Sequence, residues 1–179
     1  MHKFDPSILT NEDFRLMNTI IGNDRGGALR EPDLIIAPDG LPYLYRWHVI
    51  HRQEKANVYF HVQVASDPER PLHDHPWDNT SVILSGGYDE MWDPQPWTAP
   101  RGIQCEGYLR RLRVGDVVHR NAGEAHRLIL PEHINYTMTL FTTGPRIREW
   151  GFWFDDGWRS YKDVTEDKDG MSQFKEPSQ

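Results

Sequence analysis

Two periodicities divide this chain. Over residues 10–21 the apolar positions recur at helical spacing, with Phe14, Met17 and Ile21 on one face and Leu16 and Ile20 beside them. Thr10 offers an N-cap, Asp13 follows at the third helical position, and Gly22 closes the run, so the spacing predicts one helix here. From Leu41 onward the period drops to two. Leu41–Ile50, Asn57–Ser66, Thr80–Ser85, Gly107–Val114, Asp116–Arg120, His126–Leu130 and Ile134–Thr142 each read as strands. In Asn57–Ser66 the alternation is cleanest: Val58, Phe60, Val62 and Val64 share one face, and Tyr59, His61 and Gln63 share the other. Asp-Pro, Gly-Gly and Gly-Asp pairs separate the runs. Short strands with no helices between them predict an all-β domain, an antiparallel sandwich or barrel. Residues 23–40 and the segment Pro94–Gly102 read as loops, and the chain from Ser160 reads as a charged, frayed tail. The expected organisation is an extension over 1–40, a barrel over 41–155 and a tail over 156–179.

Composition sharpens this picture. The 14 Gly and 13 Pro, with seven each of Trp, Tyr and Phe among 179 residues, suit short strands and exclude an all-helical bundle. A net charge of -7 argues against a general duplex-DNA binder, which needs a basic face. The cations are 15 Arg against 5 Lys, which keeps anionic small ligands open beside ordinary surface use of arginine. Cys105 stands alone, so neither an intrachain disulfide nor a thiolate metal cluster forms. No apolar run approaches the ~20 residues of a membrane helix. The first ten residues lack an apolar signal core, and the expected location is the cytoplasm.

Three of the nine histidines have a spacing that asks for an explanation. His73-Asp74-His75 places two imidazoles at i and i+2, on the same face of an extended strand, where both rings can converge on one metal ion. Downstream, Gly115 to His126 reads as a strand, a tight turn at Gly123 and a third histidine opening the next strand.

These segments resemble the two motifs of the cupin superfamily, small jelly-roll barrels. Its second motif runs Gly, five residues, Pro-x-Gly, two residues, His, three residues, Asn. Gly115, Gly123 and His126 fall in that register, with Asn121 in place of Pro and Leu130 in place of Asn. Its first motif runs Gly, five residues, His-x-His, three or four residues, Glu, six residues, Gly. His73, His75 and Gly86 match, whereas Asp67 replaces the opening Gly and Asn79 replaces the Glu ligand. The resemblance covers residues 41–150. It implies a cupin jelly-roll barrel whose metal ligands are His73, His75 and His126, with Asp78 or Asn79 as a fourth if either reaches the ion. Histidines that only hydrogen-bond are the alternative. Imidazole suits Fe(II), Zn, Ni, Cu and Mn alike. Three-histidine cupins include thiol and diketone-cleaving dioxygenases, so the resemblance favours Fe(II); the His-x-His pattern speaks against the 2-oxoglutarate oxygenases.

Further candidates follow from strand phase. Tyr59 and His61 line the polar face of their strand, either toward a pocket or toward solvent. Arg46 and His48 alternate with Trp47 and Val49 and could clamp an anion, as could Arg111 and Arg113 on one face of theirs. Trp77 follows the second candidate ligand and could wall the pocket or pack in the core. Tyr136 and His61 are the candidate acids or bases, and His119 lies outside the motif. Gly144–Trp153 is dense in Arg and Trp, suited to a planar or anionic ligand or to a subunit interface. Three functions remain: an Fe(II) oxygenase acting on a small polar or anionic molecule, a redox-neutral isomerase, epimerase or lyase using Zn, Mn or Ni, and a ligand-binding module without turnover. A homodimer is expected.

Overall fold

The structure is a computed structural model and describes residues 3–22, 29–37, 40–50, 53–94, 107–166 and 172–174. Cys105 and most of the Pro94–Gly102 loop lie outside these. The helix α1 (Asn11–Ile21) forms as its caps dictate: the Thr10 hydroxyl accepts from the Asp13 amide at 3.1 Å, and Gly22 ends the helix at φ 65°. It buries Met17 and Ile21, the apolar stripe read from the sequence.

Among the described residues fourteen strands follow. They are β1 (Leu34–Ile36), β2 (Leu44–His48), β3 (Asn57–Gln63), β4 (Leu72–His73), β5 (Asn79–Ser85), β6 (Gly87–Asp93) and β7 (Tyr108–Arg113), then β8 (Val117–Arg120), β9 (Ala125–Ile129), β10 (Thr137–Thr143), β11 (Gly151–Phe154), β12 (Gly157–Ser160), β13 (Val164–Glu166) and β14 (Ser172–Phe174). Two six-stranded antiparallel sheets have the orders β1-β2-β3-β10-β5-β8 and β12-β11-β4-β9-β6-β7, and β13 pairs with β14. Counting from β3 to β10, the first sheet carries strands one, eight, three and six, and the second carries two, seven, four and five. That interleaving is the jelly roll: the chain crosses between sheets, and no two neighbours in the first sheet's four are consecutive.

Gly86 shows how tight one crossing is. It links β5 to β6 at φ 73°, and a Cβ there would stand 2.3 Å from the Tyr136 carbonyl oxygen. Neither demand tolerates a side chain.

Several strands escaped the hydrophobic pattern. In β6 the inward positions are Tyr88, Glu90 and Trp92, and the outward ones include Met91, so neither face reads as apolar. Strand β4 has two residues, too few for any period to register. Leu34–Ile36 pairs with β2 at the sheet edge, and β12 extends the second sheet through Ser160, where a tail was expected.

The main apolar core lies outside the barrel. Met17 and Ile21 of α1 pack with Tyr45, Trp47, Phe60, Val62, Tyr136 and Met138 on the outer face of the first sheet. A smaller cluster of Ile83, Tyr88, Leu112 and Val118 closes one part of the barrel interior. No described helix is long and apolar enough to cross a membrane.

Candidate metal centre

His73 ends β4 and sits directly opposite His126 of β9, so the sheet ladder itself brings two rings together. His75 joins them because the chain stays extended through His73-Asp74-His75, and the alternation turns Asp74 away. Asp74 is fully buried on the other side. Its carboxylate accepts from the Gly151 amide at 2.8 Å and from the Trp153 and Trp158 indoles at 3.1 and 2.9 Å, and it pairs with Arg148 at 2.9 Å. Four donors hold the middle residue and thereby aim its two neighbours. The rings of His73, His75 and His126 lie 4.8 to 5.3 Å apart between centroids, and their candidate ligand atoms all fall within 4.8 Å of one another.

Glu90 sets the chemistry of this group. It is fully buried; its Oε1 accepts from His126 Nδ1 at 2.7 Å and Arg120 Nε at 2.6 Å, and its Oε2 accepts from Arg110 Nε at 2.7 Å. Burial would raise its pKa, but the hydrogen bond from His126 and the Arg120 guanidinium hold the carboxyl well below the usual range. A carboxylate at Nδ1 assigns the proton to that nitrogen and leaves the Nε2 lone pair of His126 free to ligate. That Nε2 faces His75 Nε2 at 2.8 Å. Burial first, then competition with the neighbouring His126 ring for a proton and repulsion from nearby arginines, depresses the pKa of both His73 and His75 well below 6.5. Neutral imidazoles are the ligating form. Two nitrogens this close, one with its lone pair directed at the other, need a proton or a cation between them, and a borderline divalent metal fits this donor set.

The other sequence candidates divide by face. His61 and Tyr59 look into the barrel, not to solvent. His61 stacks on Phe141 at 5.1 Å, and Phe141 lies 6.0 Å from His75. Arg46 donates from Nε to His61 Nε2 at 2.8 Å and lies over the Tyr59 ring at 4.7 Å. Burial, then Arg46 and His75, lowers the His61 pKa well below 6.5. His48 sits further out, in ring contact with Tyr59 and 4.0 Å from the Asp33 carboxylate. Trp77 lies nearly parallel to His75, 6.3 Å away and half-buried.

Four expectations need correction. Asp78 is exposed, spends Oδ1 on the Ala122 amide at 2.8 Å, and is not among the converging atoms. Asn79 turns its Oδ1, the one amide atom able to ligate, toward Arg120 Nη1 at 3.3 Å. Arg111 and Arg113 point away from the barrel, Arg111 held by Asp89 at 2.7 and 2.9 Å, because the inward positions of β7 are Arg110 and Leu112. Tyr136 lies under α1, donating to Asp13 at 2.5 Å and accepting from the Thr10 amide at 3.1 Å. His119 is on the outer face with Thr80. Within the Arg/Trp segment Trp153 and Arg148 hold Asp74, Trp150 stacks on Tyr161 at 4.6 Å and lies 6.4 Å from the His73 ring, and Arg146 and Ile147 are exposed. Glu90, Arg110, Arg120 and Phe141 were missed, and a one-residue phase shift on β7 would have found Arg110.

The sequence matches no family model and no curated protein. Among solved structures the chain is similar to the DMSP lyase DddQ from Ruegeria pomeroyi DSS-3, at 18% identity and a TM-score of 0.48, over 68% of this chain and 57% of that one. It is similar to FeII HppE at 14% identity and a TM-score of 0.48, over 67% and 62% of the two chains. A cupin superfamily protein from Desulfitobacterium hafniense DCB-2 gives 12% identity and a TM-score of 0.43, over 62% and 84%. The matched region thus spans less than two thirds of the first two proteins. Likeness this distant assigns nothing by itself, and the fold rests on the strand order. With its two interleaved four-strand sets and the histidine group between them, this chain has the cupin jelly-roll fold.

Proposed function

We propose that this protein is a metal-dependent enzyme, an Fe(II) oxygenase acting on a small polar or anionic molecule. The observation that carries the reading is the pair of Nε2 atoms of His75 and His126, 2.8 Å apart, with His126 oriented by Glu90. His73, His75 and His126 would hold the metal. Among the described residues no carboxylate joins them in the converging group, so a bound ion would keep open positions for substrate and O2. When bound, Fe(II) supplies oxygen activation and charge stabilisation at those positions. The chain's own residues supply the rest. Glu90 keeps the His126 proton on Nδ1, Asp74 anchors the extended segment that bears the other two rings, and Phe141 and Trp77 place apolar walls beside His75. Arg46 and His61 line the interior beyond Phe141 and offer polar contacts to a substrate.

Metal content of untagged protein by mass spectrometry, beside a His126→Ala control, tests this. Near-stoichiometric Fe lost in the variant, followed by O2 uptake in substrate screens, is the expected result. Stoichiometric Zn, Mn or Ni with turnover under anaerobic conditions would replace it with a redox-neutral isomerase, epimerase or lyase. No metal after anaerobic Fe(II) loading would leave a ligand-binding barrel. The expectation of a homodimer goes with this reading, and sedimentation as a 21.0 kDa species would remove it.

A further inference from the structure

Three buried side chains in one row across the first sheet each keep a polar atom without a partner. Thr143 of β10 lies opposite Asn79 of β5, and Asn79 lies opposite Arg120 of β8. They are 5%, 2% and 1% exposed, and they share the inward face with Ser81 and Phe141. Among the described residues Thr143 Oγ1, Asn79 Nδ2 and Arg120 Nη2 have no partner within hydrogen-bonding distance.

The neighbours fix which atoms are left over. Arg120 gives Nε to Glu90 and Nη1 to both Ser81 and Asn79 Oδ1, at 3.0 and 3.3 Å for the latter two. With Oδ1 of Asn79 accepting from Arg120, the amide nitrogen must be the other branch, and it carries two hydrogens with no acceptor. The Tyr88 side chain is also a hydrogen-bond partner of the Arg120 guanidinium and of Ser81, so part of that guanidinium's donor capacity is already met. All three leftover atoms can donate, and those of Asn79 and Arg120 can do nothing else. Buried donors are almost always satisfied, so a file of them calls for an occupant rich in acceptors. A carboxylate or similar oxyanion fits best, because a guanidinium N–H gives it a short, charge-assisted bond even with the Arg120 charge already paired to Glu90.

The row also adjoins the histidine group. Arg120 Nε and His126 Nδ1 share the same Glu90 oxygen, and Asn79 follows His75 by four residues. Where the resemblance would place an acidic metal ligand, this chain has an amide whose free edge donates.

We propose that Thr143, Asn79 and Arg120 form a binding site for an oxyanion, the carboxylate or phosphate of the molecule on which the metal centre acts. The identification of that molecule as a substrate rests on the proposed function; the row itself requires no metal.

Thermal shift and calorimetric titration of the full chain with sodium acetate and with inorganic phosphate, against sodium chloride at equal ionic strength, test it. Each is run on metal-loaded and chelator-treated protein. Acetate or phosphate should bind where chloride does not, and whichever binds names the oxyanion. Thr143→Val keeps the shape and should weaken that binding about 3- to 10-fold, the worth of one hydrogen bond. Asn79→Asp replaces a donor with a negative acceptor and should abolish it. If Asn79→Asp fails to fold, Thr143→Val decides alone. Absence of binding by both anions, as expected of a row satisfied only by water, would overturn the proposal. So would undiminished binding in Thr143→Val. Failure of the metal reading appears separately, as absent metal in protein that still binds the anion.

Discussion

The two faces of the first sheet differ in chemistry, one apolar and one polar and aromatic. Its outer face presents Tyr45, Trp47, Phe60, Val62 and Met138 to helix α1, all buried and apolar or nearly so. Its inner face presents Arg46, Tyr59, His61, Asn79, Ser81 and Phe141 to the histidine group. Neighbours in sequence, Arg46 and Trp47 or Phe60 and His61, belong to different environments because strand side chains alternate. Stability and chemistry are therefore separated by one residue of register. The helix is what permits this: by covering the outer face it provides an apolar core elsewhere and frees the barrel interior for arginine, histidine and glutamate.

Breaking the apolar side should have the largest effect on stability. Trp47 is fully buried, its indole donates to the Arg30 carbonyl at 2.7 Å, and Phe4 and Phe60 pack on its ring. Trp47→Ala should cost about 3–5 kcal/mol by chemical denaturation, while folded protein keeps its metal stoichiometry. Loss of metal from folded variant would show that the two faces are not independent.

On the polar side, Glu90→Gln should weaken metal binding about 10- to 100-fold, the usual worth of a carboxylate that orients a ligating histidine. Competition with a chelator indicator measures this, and an unchanged affinity would remove Glu90 from the site.

The polar interior should also make the metal-free protein acid-sensitive. His61 has a folded pKa depressed well below 6.5, chiefly by burial, so the unfolded chain takes up a proton that the folded one refuses. Stability attributable to the neutral ring is then complete above the unfolded value of about 6.5 and falls below it, by up to about 1.4 kcal/mol per pH unit. His73 and His75 act with the same sign. Urea titrations of chelator-treated protein between about pH 7 and pH 5 should show the slope, reduced by one proton in His61→Gln. A flat profile would contradict the buried neutral rings.

The smallest effect sharpens the contrast. Arg111 faces outward on Asp89, more than half exposed, so Arg111→Ala should change stability by less than about 0.5–1 kcal/mol and leave metal content intact. A large loss of bound metal would restore it as a site residue.

What could be read in advance follows from these same residues. Helix α1 was legible because its caps and apolar stripe are local, and β3 because both its faces keep a strict alternation. Spacing along extended chain put His73 and His75 on one face, and the resemblance to the two cupin motifs implied that His126 joins them. Strand β6 was illegible for the opposite reason. Its inward Glu90 is tolerated only because Arg110, Arg120 and His126 meet it from other strands, and those partners are 20, 30 and 36 residues away.

The same limit applied to choosing between faces. Tyr136 and Met138 share a phase, and Arg111 and Arg113 share another, but periodicity does not say which phase is inside. Only the placement of α1 over one face, and of the second sheet over the other, decided that Tyr136 anchors a helix and that Arg110 enters the barrel. By itself the chain's pattern determined that there would be short strands, one capped helix and a pair of histidines, His73 and His75, on one face, and the resemblance to two motifs added His126 to them. Tertiary structure decided which side of each strand is wet, which atoms of Asn79 and His126 are free, and where the apolar core lies, because each depends on partners distant in sequence.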